Sequence, residues 1–428
     1  MKLFWFFLYN CLFYPLVFVG YFILALVSPK VKDGFFSRFS SISTLKNYFK
    51  DTRKSDVYWF HAASLGEFMQ LLPIIDILKK RKPGAINLVS FFSPSGYNNC
   101  ESDSIDLKIY LPFDFIWSVY SALNIVKPKK LIFVSYDIWP NMLWTAKRKG
   151  VKTNIFSVGF RVGTNKLFHP IRSFYFSLFS SFDAVYTNSD GDKLIAEQLL
   201  GENTEVSIEA LGNPRFDTVY RKSKKVAPLV IKKSTGDVKT LVLGSTHNED
   251  DRIILEPVIR LLDEYPDLRL VCVPHEVTEA RVSKYQKLFS KNNISATVFN
   301  QDDVGLIPDD RVIIIAVIGL LSDIYRAAGV AYIGGGFSSG IHNVMEPAAA
   351  SMPVIFGPNF KQFSEARELI DSGGGFSISS GSEFKKICAD LLTRPEKFQT
   401  ASGSAFSVIE KNIGASEKIF SAVFGDLK

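Results

Sequence analysis

From about residue 55 onward, short apolar runs alternate with amphipathic stretches. Val57–Phe60, Ile86–Phe92, Leu131–Ser135, Asn154–Val158 and Ala184–Thr187 read as strands, and Phe68–Lys80, Pro140–Lys149 and Asp190–Leu199 between them as helices. Strand and helix in regular alternation predict a parallel sheet covered on both faces. The pattern breaks over 218–237, TVYRKSKKVAPLVIKKSTGD, a lysine-rich stretch with a proline and a glycine that reads as a linker. A second series then follows: Thr240–Leu243, Arg269–Val273, Val312–Ala316, Val330–Ile333 and Pro353–Phe356. The reading is therefore α/β, with two doubly wound Rossmann-like domains, 30–217 and 238–396, joined by the linker 218–237 and followed by a helical tail over 397–428. Ligands of such sheets bind beyond the carboxyl ends of the strands, so two facing domains would form a central cleft from two sets of strand-end loops.

The first 29 residues follow a different rule. From Leu3 to Val27 nothing is charged, which exceeds the ~20 residues needed to cross a bilayer core and the roughly 7–15 of a signal-peptide apolar region. Lys30, Lys32, Arg38, Lys46, Lys50, Arg53 and Lys54 come after it, against Asp33 and Asp51. This charge bias predicts an anchor helix over 1–29 with the rest of the chain in the cytoplasm; a helix lying in the interface is the alternative.

Composition narrows the partners. With 428 residues, 47% hydrophobic and 22% charged, a large core is expected and wholesale disorder is not. The net charge of +7 points to an acidic partner such as anionic lipid or a phosphorylated small molecule. Nucleic acid fits poorly, because the basic residues gather near the anchor and linker rather than on one recognition helix. The four cysteines, Cys11, Cys100, Cys272 and Cys388, are far apart and match neither a disulfide framework nor a zinc ribbon. The five histidines show no HxH or HExxH spacing, so no metal site is read from them.

Candidate chemistry sits at the strand ends. In HAASLGE, 61–67, small residues around Ser64 and Gly66 leave room for a ligand, and Glu67 can take a proton from an attacking hydroxyl. Alternatively, Glu67 only favours a helix N-terminus. In GSTHNEDD, 244–251, Ser245 and Thr246 read as caps of an acidic helix start that could also hold a phosphate. VPHEVTEAR places Pro274 and His275 at a strand end. IGGGFSSGIHNVMEPAAASMPVIFGPN is the most informative stretch. Gly335, Gly336, Ser338 and Gly340 would let backbone approach a phosphate, with a helix N-terminus facing it. Asn343 and Glu346, three residues apart, could face one ligand, and a carboxylate there suits a ribose diol. The stretch is neither a GxGxxG fingerprint nor a P-loop; a turn serving only chain reversal is the plainer alternative. His61, His247, His275 and His342 all fall near strand ends or in glycine-rich loops. Arg161 and Arg215 beside these loops suit phosphate or carboxylate, and either could equally be an ordinary surface arginine.

HAASLGE, WPN at 139–141, GNPRFD at 212–217, GSTH and GGGFSSGIHNVMEPAA occur in this order. Together they resemble the Kdo (3-deoxy-D-manno-octulosonic acid) transferases of Gram-negative bacteria, over the chain from the anchor to about residue 370. The resemblance implies a GT-B fold with a membrane-associated N-terminus. It implies transfer of Kdo from CMP-Kdo to a lipid A precursor on the cytoplasmic face of the inner membrane, in lipopolysaccharide synthesis, with inversion and without metal or other cofactor. Anionic lipids of that membrane would be further partners. It further implies Glu67 as general base, nucleotide contacts at Gly340, His342, Asn343 and Glu346, and a donor-side role for Ser245, Thr246 and His247. The chain also departs from the family pattern. Of two acidic residues common before WPN only Asp137 is kept, Ser135 replacing the other. PRHP is reduced to Pro274 and His275, Arg215 stands where Lys is common, and AVIGLLSD lacks an Asp at Ala316. The rival readings are another GT-B enzyme using a UDP-sugar and a lipid acceptor, or a catalytically inert membrane-bound nucleotide-binding protein.

Overall fold

A computed structural model describes residues 2–50, 55–160, 164–201, 204–224, 240–300, 310–327 and 329–425. The chain divides into two compact units, one of Met1–Thr218 with Gly414–Lys428 and one of Val219–Ile413.

The first unit holds strands β1 (Val57–Ala62), β2 (Ile86–Phe91), β3 (Leu107–Tyr110), β4 (Lys130–Val134), β5 (Lys152–Val158), β6 (Ala184–Thr187) and β7 (Ser207–Ala210). They lie in the order β3-β2-β1-β4-β5-β6-β7, with every pairing parallel. The second unit holds β8 (Thr240–Thr246), β9 (Arg269–Pro274), β10 (Thr297–Phe299), β11 (Val312–Ile315), β12 (Val330–Ile333), β13 (Val354–Phe356) and β14 (Gly375–Ser377), again all parallel. Their order is β10-β11-β9-β8-β12-β13-β14. Central strands such as VYWFHA are buried along their whole length, as expected where helices cover both faces. Each sheet reverses its strand order once, at β1/β4 and at β8/β12. Loops diverge there and leave a crevice at the carboxyl ends, the place where open α/β sheets bind ligands.

The N-terminal helix, Lys2–Val27, is long and apolar enough to cross a membrane. A π-helical turn at Tyr9–Phe13 precedes Pro15, whose missing N–H cannot continue the α-helical ladder. One face of the helix is fastened to the first unit. The Trp5 indole donates to Ser173 Oγ (3.0 Å), the Tyr9 hydroxyl to Asp114 Oδ2 (2.9 Å), and Asn10 and Asn141 exchange amide hydrogen bonds (3.0 and 2.8 Å). Further along, Phe18 packs on Phe35 and Phe113, and Tyr21 stacks on Phe92. These contacts run from residue 5 to residue 21, about 24 Å of helix at ~1.5 Å per residue. The helix is therefore laid along the unit. Its opposite face leaves Phe4, Phe7, Leu12, Leu16, Ile23 and Val27 exposed.

Of the expected linker, 218–224 continues the helix Arg215–Lys224, and 225–237 lies outside the described residues. The expected tail is shared between the units. Pro395–Asn412 belongs to the second, whereas the helix Ala415–Phe424 returns to the first. There Ile419, Phe420, Val423 and Phe424 pack on Tyr58 and Phe60 of β1. Asp217 fixes the start of that helix, accepting from Gly414 N (2.6 Å), Ser416 N (2.7 Å) and Ser416 Oγ (2.6 Å).

Candidate active site

The first switch point is built by the loops after β1 and β4. Ser64 caps the helix Leu65–Arg81 by accepting from Glu67 N, and Glu67 Oε2 accepts from Ala63 N at 2.5 Å. Glu67 is thus tied to a helix start, yet it is more than a cap. Burial, then the charge of Asp137, push its pKa up from 4.5 to about 7, against the backbone N–H groups of Ala63 and Ser64. Burial works on Asp137 in the same direction. There the hydrogen bond and charge interaction of His61, the Trp139 indole and the charge of Arg38 outweigh it and hold the carboxyl below its ordinary value. Two carboxylates are thereby pushed apart, one ionised and one poised near neutrality.

The second carboxylate is positioned by His61 and Trp139, whose role toward it the sequence did not show. His61 is fully buried inside β1 rather than beyond it. Its Nε2 meets Asp137 Oδ2 (3.2 Å) and its Nδ1 meets the Ser90 carbonyl and Oγ (3.1 and 3.0 Å). The Trp139 indole donates to the same carboxylate oxygen at 3.0 Å. The only available signal was a histidine inside an otherwise apolar strand. Ser135, where an acid is common, adopts φ +60° and donates to Gln70 Oε1 (3.2 Å). A side chain built on exposed Gly66 would meet nothing closer than 3.9 Å, its own neighbour Ser64. WPN and GNPRFD are largely structural. Asn141 N donates to Asp114, Pro140 opens a helix, and Asp217 holds the C-terminal helix. Arg215 opens the helix Arg215–Lys224, its guanidinium in no ion pair among the described residues. Arg161 lies outside the described residues.

The second switch point joins the loops after β8, β9 and β12. It brings together His247, His275 and His342, three of the predicted residues. Nε2 of His247 and His342 are 2.7 Å apart, and the ring centroids lie 4.3–5.0 Å from one another. Burial, then the neighbouring imidazoles, lower the pKa of His342 to about 4, and burial followed by His247 lowers that of His275. His275 and His342 are thus biased toward the uncharged form, and the three rings offer N–H groups as donors. One nitrogen from each ring lies within 4.8 Å of the others, within reach of a metal ion. As placed, though, the 2.7 Å pair is a hydrogen bond. Two ligands of a tetrahedral zinc ion would stand about 3.3 Å apart.

Several expectations shift here. The helix after β8 is Asn248–Glu264 with His247 as N-cap, so Ser245 and Thr246 belong to the strand and do not cap it. Thr246 turns inward, its hydroxyl 2.8 Å from that of buried Tyr285. Asp250 consumes the helix start, accepting from His247 N, Gly335 N and the Tyr332 hydroxyl, each at 2.8 Å. The glycines are demanded by neighbouring backbone. A Cβ on Gly334 would lie 2.2 Å from the Ser245 carbonyl, and one on Gly336 2.5 Å from Gly357 N. The Ser338 hydroxyl closes its own turn onto the Gly335 carbonyl (3.2 Å). The next helix begins only at Met345, with Asn343 Oδ1 accepting from Met345 N (3.1 Å). Glu346 is therefore in its first turn, half-buried, 3.7 Å from Lys222 Nζ. Beside it stands Tyr325, unforeseen, whose buried hydroxyl has no hydrogen-bond partner among the described residues.

Known proteins share this build. UDP-GlcNAc 2-epimerase from Neisseria meningitidis, solved with UDP-GlcNAc, superposes with TM-score 0.62 over 86% of this chain and 100% of its own at 14% identity. A glycosyltransferase from Rickettsia africae gives 0.56 over 86% and 99% at 10% identity. In sequence, the family profile described as 3-Deoxy-D-manno-octulosonic-acid transferase (kdotransferase) matches residues 34–218. The 3-deoxy-D-manno-octulosonic acid transferase of Chlamydophila psittaci is 28% identical over 80% of this chain and 78% of its own. That of Aquifex aeolicus is 28% identical over 82% and 90%. Two parallel α/β units with polar groups gathered at the switch points make a GT-B-like fold. Among proteins of that fold, its sequence similarities support the Kdo transferase family.

Proposed function

We propose that this protein transfers Kdo from CMP-Kdo to a lipid A precursor, on the cytoplasmic face of the inner membrane. The observation that carries the mechanism is Glu67 poised at about 7 beside the ionised Asp137. Glu67 takes the proton of an acceptor hydroxyl as its oxygen bonds to the anomeric carbon of Kdo. The bond from that carbon to the phosphate oxygen breaks on the opposite face, CMP leaves with the electron pair, and the configuration inverts. A base with a pKa near the working pH suits this step.

The first unit binds the acceptor through Ser64, Gly66 and Asp137 at the base, and Arg161 and Arg215 are assigned to its anionic groups. The second binds the donor. His247, His275 and His342, with Thr246 behind them, donate ring N–H groups to its phosphate and carboxylate, and the loop of Ser245, Pro274, Gly335, Gly336, Ser338 and Gly340 shapes their setting. Asn343 and Glu346 take the ribose hydroxyls. Fixed donors aimed at charge that grows on the leaving phosphate supply much of the acceleration. The apolar face of the N-terminal helix and the +7 charge support contact with an anionic membrane.

The test is purified protein with fresh CMP-Kdo and a tetra-acylated lipid A precursor, with a chelator present, followed by mass spectrometry of the lipid. A gain of one or more Kdo masses, lost in Glu67→Ala, is expected. An unchanged lipid beside intact donor, with a UDP-sugar accepted instead, would sink the reading.

A further inference from the structure

The N-terminal helix does more than rest on the first unit: the two enclose a cavity of about 330 Å³. Val17, Gly20 and Leu24 line it from the helix, and Pro112, Phe113 and Trp139 from the body of the unit. Val17 and Leu24 are also more than half exposed, so the cavity is continuous with the outward apolar face. Trp139 forms part of its wall while its indole holds Asp137, which sets the cavity beside the carboxylate pair. Arg38 lines it too. The guanidinium is 3% exposed, lies over the Phe92 ring at 4.2 Å, and donates to the carbonyls of Leu111 (2.8 Å) and Phe92 (2.5 Å). Among the described residues its buried Nε has no hydrogen-bond partner and no carboxylate touches it, Asp137 acting on it only through its charge. A buried cation with no carboxylate in direct contact is costly, and an anionic ligand would offset that cost.

We propose that this cavity takes one acyl chain of the acceptor lipid, with Arg38 as the cation that favours an anionic headgroup at its edge. The inference rests on the lipid-acceptor reading above and makes the N-terminal helix one wall of the acceptor site. Size agrees. A methylene needs about the room of a water molecule in the liquid, ~30 Å³, so the cavity holds on the order of ten carbons. That is enough for most of one chain and too little for a nucleotide sugar.

Gly20 gives the means to test it. It lines the cavity, and a Cβ built there meets nothing within 4 Å, so Gly20→Phe plugs the space without displacing backbone. The probe is a glucosamine phosphate carrying one twelve-carbon acyl chain tipped with a diazirine, added to the full chain in detergent micelles. Illumination and peptide mapping should place the label on 17–24 and 112–139, and Gly20→Phe should cut it tenfold or more. Label spread over the outer face of the helix, or untouched by the plug, would overturn the assignment. In turnover with CMP-Kdo, Gly20→Phe should raise KM for a long-chain acceptor, hold kcat, and leave an acceptor stripped of its chains unaffected. Equal loss on both acceptors would also overturn it. A wild type labelled in the cavity that transfers no Kdo would refute the proposed reaction and leave the cavity assignment standing.

Discussion

Glu67 and Asp137 carry opposite pKa shifts because one has a cationic and hydrogen-bonding retinue and the other mostly has burial. The expected pH profile of kcat/KM rises to a plateau through about 7, as the base loses its proton. Asp137→Asn removes the charge that disfavours ionisation, so that limb should move to lower pH and the plateau should fall. A limb that stays in place would assign the titration to another group. Stability carries the same signature. The raised pKa means that Glu67 stabilises the fold fully only below its unfolded value near 4.3, and that contribution is lost as pH climbs through about 7. Glu67→Gln should therefore melt higher than wild type at pH 8, by on the order of 1–3 kcal/mol, and match it at pH 4. HAASLGE made Glu67 legible in sequence, because a carboxylate after a strand, a turn and small residues has few other uses. The support given by His61 was not legible: whether a histidine lies at a strand end or inside it is decided by register with β2.

At the scale of elements, every central strand was readable, and four were not. Those four, β3, β7, β10 and β14, are the edges of the two sheets. Their side chains are part exposed, as in LKIY, SIEA, TVF and GFS, so no continuous apolar run marks them. The glycine-rich loop shows a similar limit. Sequence says that backbone comes close to something there; only the fold says that this something is the loop of β8 and the turn at Gly357. Gly334→Ala forces a Cβ onto the Ser245 carbonyl and should destabilise the second unit by roughly 2 kcal/mol or more, read as a lowered melting temperature. Gly66→Ala meets open space and should leave the melt unchanged, while lowering turnover if the acceptor needs that room.

For the molecule as a whole, alternation of strand and helix announced two α/β bodies, and charge asymmetry announced an apolar leader beside a basic chain. Neither could show that the leader docks along the first unit through Tyr9, Asn10 and Tyr14. Asp114, buried beneath it, has a pKa raised to about 7 chiefly by that burial, despite the N–H groups of Asn141 and the Tyr9 hydroxyl. A chain lacking 2–27 strips this carboxyl of its tyrosine partner and bares Phe115 and Trp139. It should yield an aggregating, inactive protein rather than a soluble enzyme, checked by light scattering and turnover in detergent-free buffer.

The helix Ala415–Phe424 sets an order on assembly. It covers Tyr58 and Phe60 of β1, a strand made early, yet it leaves the ribosome after the whole of Val219–Ile413. At ~5–20 residues per second, that interval of roughly 200 residues lasts about 10–40 s. Through it the first unit carries an open apolar flank, which closes only once Ala415–Phe424 has been made.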